Sequence, residues 1–194
     1  MHFLQHGCGY SVMKQVYCCT DVAYDSDNIL HLTQSLLNFG VREDSAQAAS
    51  DIKKTSSAFV ISYGCVEEEL KRFKNICLDI NKNVFGFDLY EKTEFDGILY
   101  NIYDSSNQGE YDWHNDSVID QMFDIKLTGL LNVSTENYSG GEFLIFNGIE
   151  EEIKEFSKPG SILLFPSWVP HKVSPVSAGC RKTVTMFFTG PCLK

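Results

Sequence analysis

Three residues of this chain have the types and the spacing of a metal site. His114 and Asp116 stand two positions apart, and His171 follows far downstream, directly after Pro170. Two imidazoles and one carboxylate on one face of a metal ion form the facial triad that binds non-haem Fe(II) and leaves the opposite face open. An H-x-D pair alone is a weak signal, because most such pairs are surface residues. His171 also has a simpler interpretation, as a core or loop histidine beside a proline.

A β-strand would aim the first two of these side chains together. Side chains alternate between the faces of a strand, so His114 and Asp116 would point the same way. His171 must come from another strand, because a third ligand from the same extended segment would lie too far away. Residues 161–166 read as an apolar strand that leads into a polar turn, and His171 begins the next strand. The mouth of a β-barrel presents ligands at such positions.

Arg181 opens the last predicted strand and could bind an anion. A buried arginine is rare without an anionic partner, since its charge cannot be titrated away. The planar guanidinium grips a carboxylate with two parallel hydrogen bonds. Thr183 would point inward beside it and could add a hydroxyl to the same carboxylate. The alternative is a surface arginine at the start of a strand.

Aromatic residues surround the metal candidates. Tyr103 ends a strand just before the loop, and we expect it, ahead of Tyr111, to place a phenol near a co-substrate. The alternative for both is an aromatic core residue whose hydroxyl reaches water. Trp113 and Trp168 either line a substrate groove or pack beside the mouth of the barrel.

The first half of the chain supplies a helix over residues 26–39. Ser26 or Asp27 can cap its start, an apolar stripe ending at Leu37 runs along one side, and Gly40 ends it. These features predict a helix that packs by one face.

A second helix is predicted over residues 66–82, and a strand over residues 58–63 precedes it. From residue 97 onward, apolar residues recur every two positions, as they do in β-strands. The strands predicted from there are Ile98–Tyr103, Tyr111–Asp116, Ile125–Ser134, Glu142–Phe146, Ile153–Phe156, Ser161–Phe165, His171–Val176 and Arg181–Phe188. Short strands after two helices predict a mainly β (α+β) fold. We expect a double-stranded β-helix, a cupin-like jelly roll, with an N-terminal helical layer on one outer face. A plain sandwich is the alternative.

No repeat or linker marks a domain boundary, so we expect one domain over residues 1–194. Residues 1–83 would form a ragged N-terminus and the helical support, and residues 84–191 the jelly-roll core. Residues 1–12 lack the apolar region of a secretory signal and read as an extension before an alternative start at Met13.

Composition limits the partners and the compartment. The formal charge of −10 and the pI of about 4.9 argue against nucleic-acid binding. No apolar run approaches the roughly 20 residues that span a bilayer. The seven cysteines are odd in number and irregularly spaced, which indicates free thiols and a cytoplasmic protein, with neither a disulfide framework nor a zinc knuckle.

Ordered motifs over residues 84–191 resemble a known family. The segment from Tyr103 through Gly109 and Tyr111 to His114 and Asp116 resembles the Y-x-x-G-x-x-Y-x-x-H-x-D motif of prolyl-4-hydroxylase-like Fe(II)/2-oxoglutarate oxygenases. The G-G-E turn at 140–142 and the closing segments 158–166, 171–176 and 179–181 are also similar to that family. Small stand-alone PKHD-type hydroxylases are the most similar. The loop after Tyr103 is about two residues longer than in many members. Arg181 stands where collagen-type enzymes have Lys, as it does in PKHD-type and oxygen-sensing relatives.

The resemblance implies a reaction and a set of cofactors. It implies that His114, Asp116 and His171 are the catalytic metal ligands for Fe(II), and that Arg181, with Tyr103 and Thr183, binds 2-oxoglutarate. Oxygen would be the second co-substrate and ascorbate a reductant. The enzyme would hydroxylate a C–H bond, in a prolyl or other protein side chain or in a small molecule, and release succinate and CO2. The partner would thus be a protein or small-molecule substrate, and the oligomeric state stays open.

Two other functional classes compete with this interpretation. A cupin-like module could hold a metal structurally and catalyse nothing; a closed four-ligand zinc site would favour it. A hydrolytic or isomerising metalloenzyme could use the same triad, but it would leave Arg181 without a role.

Overall fold

The computed structural model describes residues 16–43, 52–117 and 123–192, so the predicted extension over residues 1–12 lies outside the described residues. The helices are α1 (Ser26–Phe39) and α2 (Glu67–Ile80). Short 3-10 helices lie at Tyr63–Cys65, Ser105–Asn107 and Lys154–Ser157, and a π-helix at Asn81–Phe85 continues α2. The strands are β1 (Cys18–Cys19), β2 (Val41–Glu43), β3 (Ser57–Ser62), β4 (Gly97–Asp104), β5 (Tyr111–His114), β6 (Asp124–Asn132), β7 (Ser139–Gly140), β8 (Phe143–Phe146), β9 (Glu150–Glu152), β10 (Ile162–Pro166), β11 (His171–Val173), β12 (Val176–Ala178) and β13 (Cys180–Gly190).

The strands form two main antiparallel sheets and a short third pair. The larger sheet has the order β1-β10-β6-β13-β4-β3-β2, and the smaller sheet has the order β5-β11-β8-β9. Strands β12 and β7 form the third pair. The predicted mainly β jelly roll is therefore confirmed. Strands β1, β2 and β3 come from the first 83 residues, which contribute sheet as well as helix.

One core lies between the helices and the larger sheet. Alternation along β10 sends Ile162 and Leu164 toward α1 and α2, where they meet buried side chains such as Leu36 and Phe73. The helices therefore form the predicted layer on the outer face of that sheet. None of the described helices is long and apolar enough to cross a membrane.

A second core lies between the two sheets. The alternate residues of β10, Leu163 and Phe165, point away from the helices and pack with Phe143, Ile145 and Val173 of the smaller sheet. On β13 the same alternation turns Arg181, Thr183 and Thr185 away from the helices, because Val184 and Met186 belong to the helix-side core. The predicted site residues of β13 therefore face the interior of the jelly roll.

The details of α1 differ from the prediction at both its cap and its stripe. Asp25, rather than Ser26 or Asp27, caps the helix, since its carboxylate accepts a hydrogen bond from the Asn28 N–H at 2.8 Å. Leu37 is 54% exposed rather than buried, and Thr33 takes a place in the buried stripe. Gly40 ends the helix as predicted, and its N–H donates to the Leu36 carbonyl.

One predicted strand is wrong and another is wrong in part. Residues 153–156 form a loop and a 3-10 turn rather than a strand; Ile153 and Phe156, three residues apart, are both buried, as a three-residue period requires. The predicted strand 171–176 is split into β11 and β12 on either side of Ser174 and Pro175. A proline cannot donate a hydrogen bond to a strand ladder, which explains the break.

Candidate metal centre

Two neighbouring strands of the smaller sheet bring the candidate histidines together. His114 is the last residue of β5 and His171 the first of β11, and the two are direct partners in the antiparallel ladder. Their ring centroids lie 4.2 Å apart. His171 thus comes from a second strand, as its predicted position required.

Hydrogen bonds hold both imidazoles in the same way, with Nδ1 against a backbone carbonyl and Nε2 on the side of Asp116. The Nδ1 atom of His114 lies 2.7 Å from the Asp112 carbonyl oxygen, and that of His171 lies 3.0 Å from the Val169 carbonyl oxygen. A carbonyl only accepts, so each Nδ1 carries the proton and donates it. Each Nε2 therefore keeps its lone pair, which is the arrangement that supports metal-ligating histidines.

Asp116 completes the group from beyond the end of β5. Its carboxylate oxygens lie 3.8 Å from Nε2 of His114 and 3.4 Å from Nε2 of His171. The Thr128 hydroxyl donates to Asp116 at 2.8 Å, and the Asp116 N–H donates to the Ser167 carbonyl at 2.9 Å. The predicted strand over residues 111–116 is therefore wrong at its end: contacts with β6 and with the turn after β10, rather than strand alternation, aim this carboxylate.

Burial sets the protonation of the three groups. It lowers the pKa of His171 to about 4, and burial together with the neighbouring His171 lowers the pKa of His114 to about 4. Phe143 and Phe165 supply part of this apolar surrounding, with ring centroids 5.5 and 4.8 Å from that of His171. Burial also raises the pKa of Asp116. Both imidazoles are therefore neutral at pH 7, the form that ligates metal.

The donor set fits a catalytic Fe(II) site. Ligand atoms of His114, Asp116 and His171 all lie within 4.8 Å of one another, and no other such group of three occurs among the described residues. Two imidazole nitrogens and one carboxylate match the two-histidine, one-carboxylate donor set of non-haem Fe(II) sites. With three protein donors, coordination positions stay open for substrates, unlike a closed structural zinc site.

Arg181 is buried in the interior without a carboxylate partner among the described residues. Its side chain is 2% exposed, and its guanidinium carbon lies 5.2 Å from the ring centroid of Tyr103 and 5.7 Å from that of Phe156. No described carboxylate oxygen comes within 4.0 Å of its nitrogens. Thr183, two residues later, is also buried. The interior therefore holds a cation that aromatic faces shelter and that no described acid neutralises.

The two tyrosines take different places. Tyr103 is buried, pairs with Arg181 across the β4–β13 ladder and lies under its guanidinium. Burial raises the pKa of Tyr103. Tyr111 stacks on His114 instead, with centroids 3.4 Å apart and an angle of 14° between the rings. An irregularity in the β5–β11 register, between the pairs at His171 and Val173, allows residues three apart to share that face.

Each tryptophan ring packs against an aromatic residue outside the triad. Trp113 packs its ring edge against Phe146, and the Lys172 ammonium lies 4.8 Å from its centroid. Trp168 is 45% exposed and contacts Phe87 edge to face. For both tryptophans the packing interpretation is the better supported.

Comparison with known proteins identifies this part of the chain. Residues 98–189 match the model of the 2OG-Fe(II) oxygenase superfamily, and that segment contains every candidate site residue. The stretch belongs to that superfamily. It forms the domain of a 2-oxoglutarate-dependent dioxygenase, and the family implies Fe(II), 2-oxoglutarate and O2 as its cofactor and co-substrates. No curated protein sequence matches the chain.

Solved structures share the fold of this chain. A Pseudomonas putida prolyl-4-hydroxylase is 17% identical, with a TM-score of 0.65 over 91% of this chain and 94% of that one. The viral collagen prolyl hydroxylase of Paramecium bursaria Chlorella virus-1, solved with 2-oxoglutarate, is 14% identical, with a TM-score of 0.68 over 91% and 97%. A Trichoplax adhaerens prolyl hydroxylase, bound to a hypoxia-inducible-factor peptide, is 18% identical, with a TM-score of 0.64 over 89% and 83%.

Sequence reasoning missed the residues that orient Asp116. Thr128 shares its hydroxyl between Asp116 and the Ser167 hydroxyl, which lies 3.0 Å away. A threonine at an inward position of a β-strand carries no signal of its own. Only the pairing of β6 with β10, which brings Thr128 opposite Phe165, places it beside the candidate centre.

Proposed function

We propose that this oxygenase hydroxylates a C–H bond of a prolyl or other protein side chain and converts 2-oxoglutarate to succinate and CO2. Two features of the interior carry the proposal: the open donor set of two histidines and one aspartate, and the buried guanidinium of Arg181, which pairs with no described carboxylate. A structural metal module needs the first but not the second. The family model and the prolyl hydroxylase neighbours support the same reaction class.

In this proposal His114, Asp116 and His171 hold Fe(II). The backbone carbonyls at Nδ1 fix the histidine orientation, and Thr128 fixes the carboxylate. Because these partners are already in place, binding the ion requires little rearrangement.

Arg181 binds the far carboxylate of 2-oxoglutarate, with Thr183 and Tyr103 beside it. A guanidinium and a carboxylate that meet in a dry interior form a strong, oriented pair. Bound Fe(II) supplies, together with 2-oxoglutarate and O2, the oxidising chemistry that inserts one oxygen atom into a C–H bond and leaves succinate and CO2. The aromatic side chains around His171 keep water away from that chemistry. No protein nucleophile takes part.

The substrate class rests on the neighbours alone. One neighbour was solved in complex with a peptide fragment of a protein, and another is a carbocyclase from nogalamycin biosynthesis. We therefore place peptidyl proline first and a small molecule second. A screen of peptides and free amino acids for a product heavier by one oxygen atom separates the two.

The reaction class is tested by succinate release from 2-oxoglutarate without added substrate. Wild-type protein with Fe(II) should release succinate, and Asp116→Ala should lose both this activity and metal affinity, the latter by more than about 100-fold. Asp112→Ala is the matched control, because this exposed carboxylate lies on β5 but outside the triad. If wild-type protein releases no succinate, or if Asp116→Ala behaves like Asp112→Ala, the proposal fails.

A further inference from the structure

Residues 53–55 lie beside β5, which is an edge strand of the smaller sheet. Lys54 forms an antiparallel bridge with Tyr111 of β5, and the N–H of Asp112 donates to the Lys53 carbonyl at 2.9 Å. Directly opposed residues of an antiparallel pair project to the same face. Lys54 therefore projects on the face of Tyr111, the face that carries His114.

The two lysines of this segment have different surroundings. Lys53 is exposed and forms an ion pair with Glu110. Lys54 is half-buried, and its ammonium lies 4.9 Å from the ring centroid of Tyr111, which stacks on His114. One aromatic ring thus separates the Lys54 ammonium from a residue of the triad.

No described carboxylate forms an ion pair with Lys54, although the positive charge of Lys54 acts on the Asp116 carboxyl and favours its ionised form. None comes within 4.0 Å of its ammonium, although the chain carries a formal charge of −10. With the proposed contents of the site, the charges of Fe(II), Asp116, Arg181 and dianionic 2-oxoglutarate cancel. Lys54 adds one positive charge that nothing in this set balances. A half-buried cation beside a low-dielectric site favours an anion there.

We propose that Lys54 is a substrate-recognition residue that binds a carboxylate of the primary substrate beside the metal centre. The inference rests on the proposed function, and it narrows the substrate class to molecules that carry a carboxylate near the oxidised carbon. Arg181 lies between the sheets and is buried, whereas Lys54 lies at a sheet edge and is partly open. The two cations therefore serve different ligands, Arg181 the enclosed co-substrate and Lys54 a molecule that arrives from solvent.

The test compares ligands that differ only in charge. The protein is loaded with Mn(II), a paramagnetic and redox-stable substitute for Fe(II), and with 2-oxoglutarate, and both affinities are measured first by calorimetry. Paramagnetic broadening of ligand proton signals then reports binding near the metal. N-acetylproline against N-acetylprolinamide tests a terminal carboxylate. Acetyl-Asp-Pro-amide against acetyl-Asn-Pro-amide tests a side-chain carboxylate.

Wild-type protein should bind at least one of the two anionic ligands about five- to tenfold more tightly than its neutral partner, as a partly buried charge pair allows. Lys54→Gln should abolish this preference and leave the affinities for Mn(II) and 2-oxoglutarate within about twofold of wild type. Lys54→Arg should keep most of the preference. Lys53→Gln, which removes the same charge one residue away, should keep it fully.

Three outcomes overturn the assignment. Wild-type protein that prefers neither anionic ligand, or a preference that survives Lys54→Gln, excludes a carboxylate-binding role. An equal loss of 2-oxoglutarate affinity in Lys54→Gln would show that the lysine serves the co-substrate. Failure of wild-type protein to bind Mn(II) or 2-oxoglutarate refutes the proposed function and this inference with it, whereas normal binding of both without any charge preference refutes the inference alone.

Discussion

At the scale of single residues, Arg181 separates this site from a simple metal site. Its burial without a described acidic partner is costly unless a ligand supplies the negative charge. No described acid balances this interior charge, and in the proposed function 2-oxoglutarate neutralises it.

Replacing Arg181 by Ala should weaken 2-oxoglutarate binding by about 100-fold, because truncating one partner of a buried charge pair costs about 2–5 kcal/mol. Metal affinity should stay near the wild-type value. Arg181→Lys should be milder, since a point charge keeps the attraction without the planar fork. Lys182→Ala is the control, as its side chain alternates to the opposite face of β13. Equal losses of metal and 2-oxoglutarate affinity in Arg181→Ala would mean that this arginine is structural.

The buried histidines predict how the metal-free protein responds to acid. Their pKa values near 4 lie below the usual 6.5, so the unfolded chain takes up protons first as the pH falls. The stability that they contribute is complete above pH 6.5 and is lost progressively as the pH falls from 6.5 to 4. The raised pKa of Asp116 acts in the opposite direction, because the folded state then takes up that proton first.

Urea unfolding of the chelated protein between pH 7.5 and 4 measures this loss. The double variant His114→Gln, His171→Gln should show a flatter pH dependence than wild type. His31→Gln should not, because His31 is exposed on α1. Equal slopes for wild type and the double variant would contradict the assignment of neutral, buried imidazoles.

At the scale of elements, close packing between α2 and the larger sheet supports the site from behind. Gly129 of β6 faces that helix, and a Cβ there would lie 3.1 Å from the Cys77 sulfur and 3.2 Å from atoms of Phe73 and Phe188. The next residue toward the β6 N-terminus is Thr128, which holds Asp116 from the opposite face of the same strand.

Gly129→Ala should lower the free energy of unfolding by about 1–3 kcal/mol, because the added methyl overpacks a filled core. Gly97→Ala is the control, since its added Cβ would meet Val60 at an ordinary 3.7 Å. Thermal and urea denaturation measure both variants. Stability of Gly129→Ala equal to that of Gly97→Ala would show that the layer between α2 and β6 is looser than the structure has it.

Local patterns predicted most of the elements, because the spacing of apolar residues and the residues that end helices and strands can be read within a short stretch of the chain. The apolar stripe and Gly40 defined α1 to the residue, and alternation located β6, β10 and β13 within about two residues. The two-residue β1 and the three-residue β2 were not predicted, since strands this short show no alternation of apolar residues and depend on the strands they pair with. Ile153 and Phe156 were misassigned because two apolar residues three apart fit a strand end as well as a 3-10 turn.

The candidate site, too, contains residues that the sequence predicts and residues that only strand pairing reveals. Residue type and order predicted His114, Asp116, His171 and Arg181 as site residues, and the structure brings the ligand atoms of the first three within 4.8 Å of one another. Thr128, which fixes the carboxylate, depends on a pairing between strands distant in sequence, and no local pattern reports it.

Lys54 is a related case. The basic pair at residues 53–54 gives no sign of which lysine turns inward. The backbone bridge between Lys54 and Tyr111 determines which lysine faces His114, and this bridge joins segments more than fifty residues apart in the sequence.

At the scale of the whole molecule, the main apolar core and the candidate metal centre lie in different parts of the jelly roll. The larger sheet and its helical layer bury most of the apolar side chains, whereas the smaller sheet brings both histidines to its end and the interior keeps Arg181. The chain carries a formal charge of −10, yet no described carboxylate pairs with this interior cation.

The central claim is that the triad and Arg181 together form one site for a metal ion and 2-oxoglutarate. Calorimetric titration of 2-oxoglutarate into wild-type protein, with Mn(II) and without it, tests this most directly. We expect one binding site per chain that requires the metal. No binding in the presence of metal, or the same affinity in its absence, would contradict the account.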